Sequence, residues 1–260
     1  MRNFLTLIAN VCCILMLALG TGCTRDGTGG PSASVTLRFA ARVDGQPLHL
    51  GAQRYTDPTG SGEFTVEDFK MYISNVMLRN LETGNAHVEK DSYHLVRFGG
   101  ESSNFDVVLE DVDASDYDAI DFAIGVDPVR NLSIENLRDL NPNNQMAWNW
   151  DVGYKFVLLE GTFYPQNGGT PIPLVYHVGY SENYKELSFG LDEGGRSASA
   201  QTNTTLTFEI ELMEMFRNPQ DIDFNVLPSI KFDKGESKMF ADNYADMIRL
   251  QNKSGVTRDR

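Results

Sequence analysis

From Ser34 to Val43 the chain alternates. Val35, Leu37, Phe39, Ala41 and Val43 fall on one side, and Thr36, Arg38 and Arg42 on the other. The stretch Thr204 to Met215 repeats the pattern, with Leu206, Phe208, Ile210 and Leu212 set against Thr207, Glu209 and Glu211. A period of two over this length marks a half-buried strand. Shorter runs predict further strands at Phe69–Leu78, Tyr93–Phe98, Asp106–Leu109, Ala119–Ile124, Tyr154–Glu160, Leu174–Gly179 and Glu186–Gly190. Turn chemistry separates them at Asp44-Gly45, Thr83-Gly84-Asn85 and Gln166-Asn167-Gly168-Gly169. Helical spacing is sparse: one stretch at Ile134–Leu140 behind Ser133, another at Ala241–Gln251. Many short strands joined by polar turns predict an all-β fold, a single antiparallel β-sandwich with short helical segments in its loops.

The first residues break this pattern. Arg2 is followed by a nearly continuous apolar run, Phe4 to Leu19, and then by Gly20-Thr21-Gly22-Cys23. A positive start, a short apolar run and small residues before a cut site make a signal peptide over residues 1–22. Small residues directly before a cysteine resemble a bacterial lipobox, so Cys23 is the expected lipidation site. Residues 23–34, rich in Gly, Ser and Thr, then read as a flexible tether. The sandwich domain is expected over 35–250 and a polar tail over 251–260. The other two cysteines, Cys12 and Cys13, fall inside the signal peptide, so the mature chain keeps no free thiol for a disulfide, a thiolate metal site or a nucleophile. The expected location is the cell envelope, with the chain lipid-anchored to a bacterial membrane, the outer membrane by preference, and facing the periplasm or the cell surface.

Charge excludes one class of partner. Of 260 residues, 36 are acidic and 22 basic, a net charge of −14, and no Lys/Arg cluster stands out. Nucleic-acid binding needs concentrated positive charge, so nucleic acid is set aside. The chain carries no glycine-rich phosphate loop, no Gly-x-Ser-x-Gly elbow and no His-Glu-x-x-His helix. With no nameable nucleophile–base pair or close carboxylate pair, the expectation is that it is not an enzyme.

Three groups of residues could carry binding chemistry. Both tryptophans sit in Met146-Ala-Trp-Asn-Trp-Asp-Val-Gly-Tyr-Lys-Phe156, where an extended backbone puts Trp148 and Trp150 on one face with Tyr154 further along. Such a run is either an aromatic brace of the core or, given the interleaved Asn149 and Asp151, a strand end. Of the four histidines, His49 and His87 lie by turns and are expected to face solvent. His94 and His177 each follow a tyrosine inside an apolar strand. A lone strand histidine is usually a hydrogen-bonded core residue, but two of them with an aromatic cluster also offer imidazoles to copper, zinc or nickel. Asp127, Asn131, Asn141 and Asn143 form an oxygen-rich stretch; Asp127, Asn131 and Asn141 are candidate calcium ligands, though the spacing is not that of an EF-hand. Glu209 and Glu211 read as solvated, and Met213 and Met215 as core filling.

Several pieces together resemble the MbnP-like copper-binding family. They are Phe69-Lys-Met-Tyr-Ile-Ser-Asn-Val-Met-Leu78, Ser92-Tyr-His-Leu-Val96, Tyr117 through Ile124-Gly-Val-Asp127, Met146 to Gly161, Tyr176-His-Val-Gly179 and Ala241-Asp-Asn-Tyr-Ala-Asp-Met247. The most specific is Trp-x-Trp-x-x-Gly-Tyr, followed by Tyr-Ile-Ser-Asn. The resemblance implies a secreted or lipid-anchored β-sandwich that binds copper in the service of copper acquisition or storage. It also implies a di-haem peroxidase partner that oxidises a tryptophan to kynurenine. Carried onto this chain, His94 and His177 would be the imidazole ligands, and Trp148 or Trp150 the modified residue. The chain departs from the family pattern at Arg97, where an aspartate is usual, and at Asn141 and Gln145. A guanidinium near a bound cation would disfavour it. The alternative is a metal-free binding or structural module of the envelope, whose aromatic strip contacts a peptide, glycan or protein.

Overall fold

The structure, a computed structural model, describes residues 33–251 apart from 52, 100–101, 114–115, 134, 150–151, 192–197 and 200–203. The signal peptide, Cys23, most of the tether, Trp150 and all of the tail but Gln251 lie outside the described residues.

Strand β1 (Ala33–Val43) runs through the middle of the smaller sheet. Its alternation is used as the pattern predicts: Val35, Leu37, Phe39, Ala41 and Val43 are buried. The Asp44-Gly45 turn, with φ of 49° and 72°, folds the chain back so that Gln46–Pro47 pairs with Val43 and Arg42. Two successive left-handed residues are what a tight primed hairpin turn requires, and Asp-Gly supplies them at low cost.

The larger sheet is organised by one long strand, β2 (Gly62–Arg79). Along one edge it pairs with β3 (Tyr93–Arg97). Along the other it pairs first with β7 (Gly153–Pro165) and then, beyond residue 73, with β5 (Ala119–Ile124). Strand β4 (Asn104–Val112) belongs to the smaller sheet, antiparallel to β1. The short β6 (Ala147–Asn149) and the longer β8 (Ile172–Gly179) both pair with β7, while β9 (Lys185–Gly190) extends the sheet beyond β5.

Strand β10 (Thr204–Glu211) lies beside β1, and β11 (Ile248–Leu250) beside β10. The all-β expectation holds, with a refinement. The β1–β10 contact is parallel, as is the pairing of β8 with Ser229–Ile230, within a framework otherwise antiparallel. The expected strand to Met215 stops at Glu211, because Leu212–Phe216 tightens into a 3-10 turn that buries Met213 and Met215 as core filling.

Two expected helices differ. Ile134–Leu140 forms none among its described residues; the helix nearby is one turn, α1 (Pro128–Asn131). The C-terminal helix lies earlier than its apolar spacing predicts, at α2 (Lys234–Tyr244), and the chain then turns extended for β11. Its start is set by Asp233, whose carboxylate accepts the Glu236 N–H at 2.8 Å.

The main core lies between the sheets. Phe39 and Phe208 of the smaller sheet meet Phe122 of the larger at ring-centroid distances of 5.9 and 5.1 Å. A second apolar cluster, which includes Tyr72, Tyr93, Leu95, Val126, Leu140, Met146, Tyr154, Phe156 and Leu158, occupies the outer face of the larger sheet, covered by the segment from Val126 to Ala147. The outer cover, which holds the oxygen-rich Asp127–Asn143 stretch singled out in the sequence, is followed directly by Trp148.

Candidate functional site

The site begins at the point where β2 changes partners. Asn75 has φ of 55°, a left-handed conformation that asparagine tolerates better than most residues, and the register slips between Ser74 and Met77. Ser74 Oγ donates to the Gly125 carbonyl at 2.8 Å, Val76 N–H to Ser92 Oγ at 2.9 Å, and Asn75 Nδ2 to the Tyr184 hydroxyl at 2.6 Å. The Tyr-Ile-Ser-Asn motif is therefore a structural seam that fastens β5 and the chain before β3 to the long strand.

The Asp127–Asn143 stretch, which holds the candidate calcium ligands, makes a second seam. Asp127 caps α1, its Oδ1 accepting from the Val129 and Arg130 N–H groups, while Oδ2 accepts the Tyr93 hydroxyl at 2.6 Å. Asn131 is buried and its Oδ1 accepts the Tyr154 N–H at 2.8 Å; Asn141 Oδ1 accepts the Asn143 N–H at 2.9 Å. The three side chains tie the cover to the sheet, and their oxygens serve protein donors.

Trp148 lies at the rim of this cover. An added Cβ on Gly179 would come within 2.9 Å of the indole, so the ring rests on the β8 backbone where a side chain is missing. Tyr180 and Phe232 flank it at centroid distances of 5.5 and 5.4 Å. Neither flanking ring stands out in the sequence: Tyr180 is one of three tyrosines at the end of an apolar run, Phe232 is a single aromatic in a polar stretch, and only the docking of Lys231–Lys234 beside the end of β8 unites them.

The two strand histidines are not brought together. Paired residues share a face of a sheet. His177 pairs with Leu158, and Leu158 with Lys70, so His177 lies on the outer face that carries Leu158. His94 pairs with Ile73, a residue of the inter-sheet core. The imidazoles therefore leave opposite faces of the sheet, with β2 and β7 between their strands. Among the described residues no group of three or more His, Cys, Asp or Glu side chains is placed to hold a metal ion.

Each histidine already has a partner. His94 Nε2 lies 2.7 Å from Glu89 Oε2, and Arg138 pairs with the other Glu89 oxygen and reaches within 3.2 Å of the His94 ring. The guanidinium beside His94 is thus Arg138, from the cover, whereas Arg97 is exposed. His177 Nε2 lies 2.7 Å from Glu160 Oε1. His177 and Gly179 are two positions apart on one face, about 7 Å along the strand, so His177 and Trp148 occupy the same side of β8. Of the other histidines, His49 is exposed as expected, but His87 is half-buried, 3.7 Å from Asp113.

The tested donors thus divide. His94 fits a cation poorly, wedged between a carboxylate and a guanidinium. His177 fits better: a neutral imidazole that donates through Nε2 to Glu160 keeps a lone pair on Nδ1, the arrangement of carboxylate-supported metal ligands. Burial lowers the His177 pKa, the Lys155 and Lys231 ammonium groups lower it further, and Glu160 pulls the other way.

These shifts predict an acid-sensitive fold. The folded state holds His177 less protonated than the unfolded chain, so its contribution is complete above the unfolded value near ~6.5 and is lost as pH falls toward its lower folded value. Burial alone would raise the Glu89 pKa, but hydrogen bonds from His94 and Ser92, with Arg138 beside them, hold it below the ordinary value. Its contribution is lost on further acidification, below about pH 4.3. Melting temperature should therefore fall in two stages, and His177→Gln should weaken only the upper one. Equal slopes for both proteins between pH 7 and 5.5 would contradict this, as read by thermal denaturation across buffers.

Comparison with curated proteins gives no match. Among solved structures, MbnP from Methylosinus trichosporium is similar in fold, with a TM-score of 0.54 and 18% sequence identity, over 78% of this chain and 82% of that one. The family model for MbnP matches residues 32–232, which takes in the larger sheet, the outer cover and the smaller sheet apart from β11. By that match the chain belongs to the MbnP family.

Proposed function

We propose that the protein is a lipid-anchored envelope protein, without enzymatic activity, that handles copper through one imidazole, His177, and the neighbouring Trp148. A His94–His177 pair is not used. The observation that carries this reading is the seat of the Trp148 indole on Gly179, two positions from His177 on the same face of β8. An intact indole is a poor ligand, because its nitrogen lone pair belongs to the aromatic system. Oxidative ring opening to kynurenine by a partner peroxidase exposes an aniline nitrogen, a usable donor beside an imidazole. Cys23 supplies the anchor, which keeps the protein in the envelope with the tether between lipid and sandwich.

Equilibrium dialysis against Cu(I) tests the assignment. His177→Ala should weaken binding at least about tenfold, equivalent to 1.4 kcal/mol, and His94→Ala should leave it unchanged. Protein prepared with its partner should show the mass change of one carbon replaced by one oxygen, located at Trp148. Wild-type protein that binds Cu(I) no tighter than about micromolar would overturn the copper reading. A second reading then stands, a metal-free binding module. It is favoured by the carboxylate already 2.7 Å from each imidazole and by the two ammonium groups beside His177.

A further inference from the structure

We propose that Tyr180 is a positioning residue for Trp148: its ring keeps the six-membered half of the indole seated on Gly179, so that the half which survives ring opening stays near His177. The inference rests on the copper reading above and adds to it the residue that holds the donor in place. The indole atoms nearest Gly179 are Cζ3 and Cη2, 2.9 and 3.3 Å from an added Cβ. They form the edge of the six-membered ring opposite its junction with the five-membered one. The seated half is therefore the half that kynurenine keeps as its aniline ring.

Ring opening cleaves the indole Cγ–Cδ1 bond. Two molecules of hydrogen peroxide, consumed by the partner peroxidase, give one oxygen to each of these carbons and leave as two waters. Hydrolysis then releases Cδ1 as formate and leaves an amine on Cε2. Because Cε2 belongs to the six-membered ring, whatever fixes that ring fixes the new donor. Tyr180 packs on Trp148 at a centroid distance of 5.5 Å, tilted 40°. It also acts through Phe232, the other neighbour of the indole at 5.4 Å. Phe232 is 62% exposed, but the Tyr180 hydroxyl donates to its carbonyl at 2.9 Å and fastens that segment beside the indole.

The backbone gives an independent reason to assign Tyr180 a task. Its φ of 71° and ψ of 137° suit glycine and strain a residue with a side chain. Asn183, fully buried, pins the turn so that it cannot relax. Its N–H donates to the Tyr180 carbonyl at 2.9 Å and its Nδ2 to the Gly179 carbonyl at 2.7 Å, while its own carbonyl accepts the Tyr244 hydroxyl of α2 at 2.7 Å. A glycine at 180 would make the same turn without strain and leave Trp148 short of a neighbour. Strain of this kind persists where a side chain is needed at a set place.

Fluorescence of the full chain in a Trp150→Phe background, where Trp148 is the one remaining tryptophan, reads the ring directly. Tyr180→Ala and Tyr180→Gly should open Trp148 to acrylamide quenching and shift its emission to the red by the same amount. Tyr180→Gly should nonetheless melt at a higher temperature than Tyr180→Ala, because its backbone strain is relieved. Under a merely structural role, quenching would follow the melting temperature instead. Tyr180→Phe keeps the ring and should keep most of the protection. After treatment with the partner peroxidase, Tyr180→Ala should bind Cu(I) at least about tenfold more weakly than the parent protein. Quenching unchanged in Tyr180→Ala, equal quenching in Tyr180→Phe and Tyr180→Ala, or equal Cu(I) affinity in Tyr180→Ala and a parent that binds the ion would overturn the proposal. A parent that binds no Cu(I) would overturn the copper reading instead, and the fluorescence, taken on unmodified protein, would still decide whether Tyr180 holds the ring.

Discussion

Gly153→Ala is expected to destabilise the protein by about 3–5 kcal/mol, among the larger effects a single methyl group can have. Three causes act together. Gly153 has φ of 87°, which a side chain resists. The added Cβ would stand 2.4 Å from both the carbonyl oxygen and Oδ1 of Asn131, and the first of these is backbone that cannot step aside. Relief by moving Asn131 would break its bond to the buried Tyr154 N–H, and an unsatisfied buried amide costs about 1–3 kcal/mol. Gly168 provides the control. Its φ is 72°, but nothing lies within 4 Å of an added Cβ, so Gly168→Ala should cost only the conformational penalty, about 1 kcal/mol. Chemical denaturation of the two variants measures the contrast, and equal midpoints would show that the Asn131 seam is not what holds the cover down.

Much of the scaffold is legible in the sequence because β-structure writes its pattern locally. Ala119–Ile124 matches its strand in full, and β1, β3 and β8 are displaced by one or two residues at most. Strands β2 and β7 run far past their readable parts, because the register between them shifts at Glu160–Gly161 and the buried positions of β2 change phase, from Phe64 and Val66 to Phe69, Met71 and Ile73. Helix α2 was readable from Asp233 and Glu236, a capping signal, whereas the apolar spacing further on belonged partly to β11. The two parallel contacts have no local signature at all, since they depend on which distant segment arrives.

The binding chemistry was legible only by residue type. Trp148, His177 and His94 each stand out, but their faces follow from register, which one sequence does not state. His94 and His177 differ in face because one pairs to residue 73 of β2 and the other, through Leu158, to residue 70. An odd step along the strand inverts the side chain. The oxygen-rich stretch is ambiguous for a related reason: Asp and Asn suit calcium loops, helix caps and backbone anchors alike, and here Asp127 caps α1 while Asn131 accepts the Tyr154 N–H. Arg138, Tyr180 and Phe232 gave no signal, as each gains its meaning from a segment remote in the chain.

Phe208→Ala is expected to cost about 3–5 kcal/mol, the range for emptying a large buried aromatic position. The ring lies 5.5 Å from Phe39, 5.1 Å from Phe122 and 5.2 Å from Phe189, so it joins both sheets and no neighbour is free to fill the void. Phe156→Leu, in the cluster under the outer cover, is a milder change of about 1–2 kcal/mol. The two positions belong to cores on opposite faces of one sheet and share no partner. Their effects should add within about 0.5 kcal/mol in denaturant unfolding. Native-state hydrogen exchange should separate them further. Phe156→Leu should speed exchange in the cover and along β3 while leaving β1 and β10 protected, whereas Phe208→Ala should lower protection throughout. If the double variant instead lost clearly more than the sum, the sheet would be passing strain between its faces, and a change beneath Trp148 could reach the main core. Additivity would mean that the outer cover can vary in its chemistry while the sandwich beneath it stays the same.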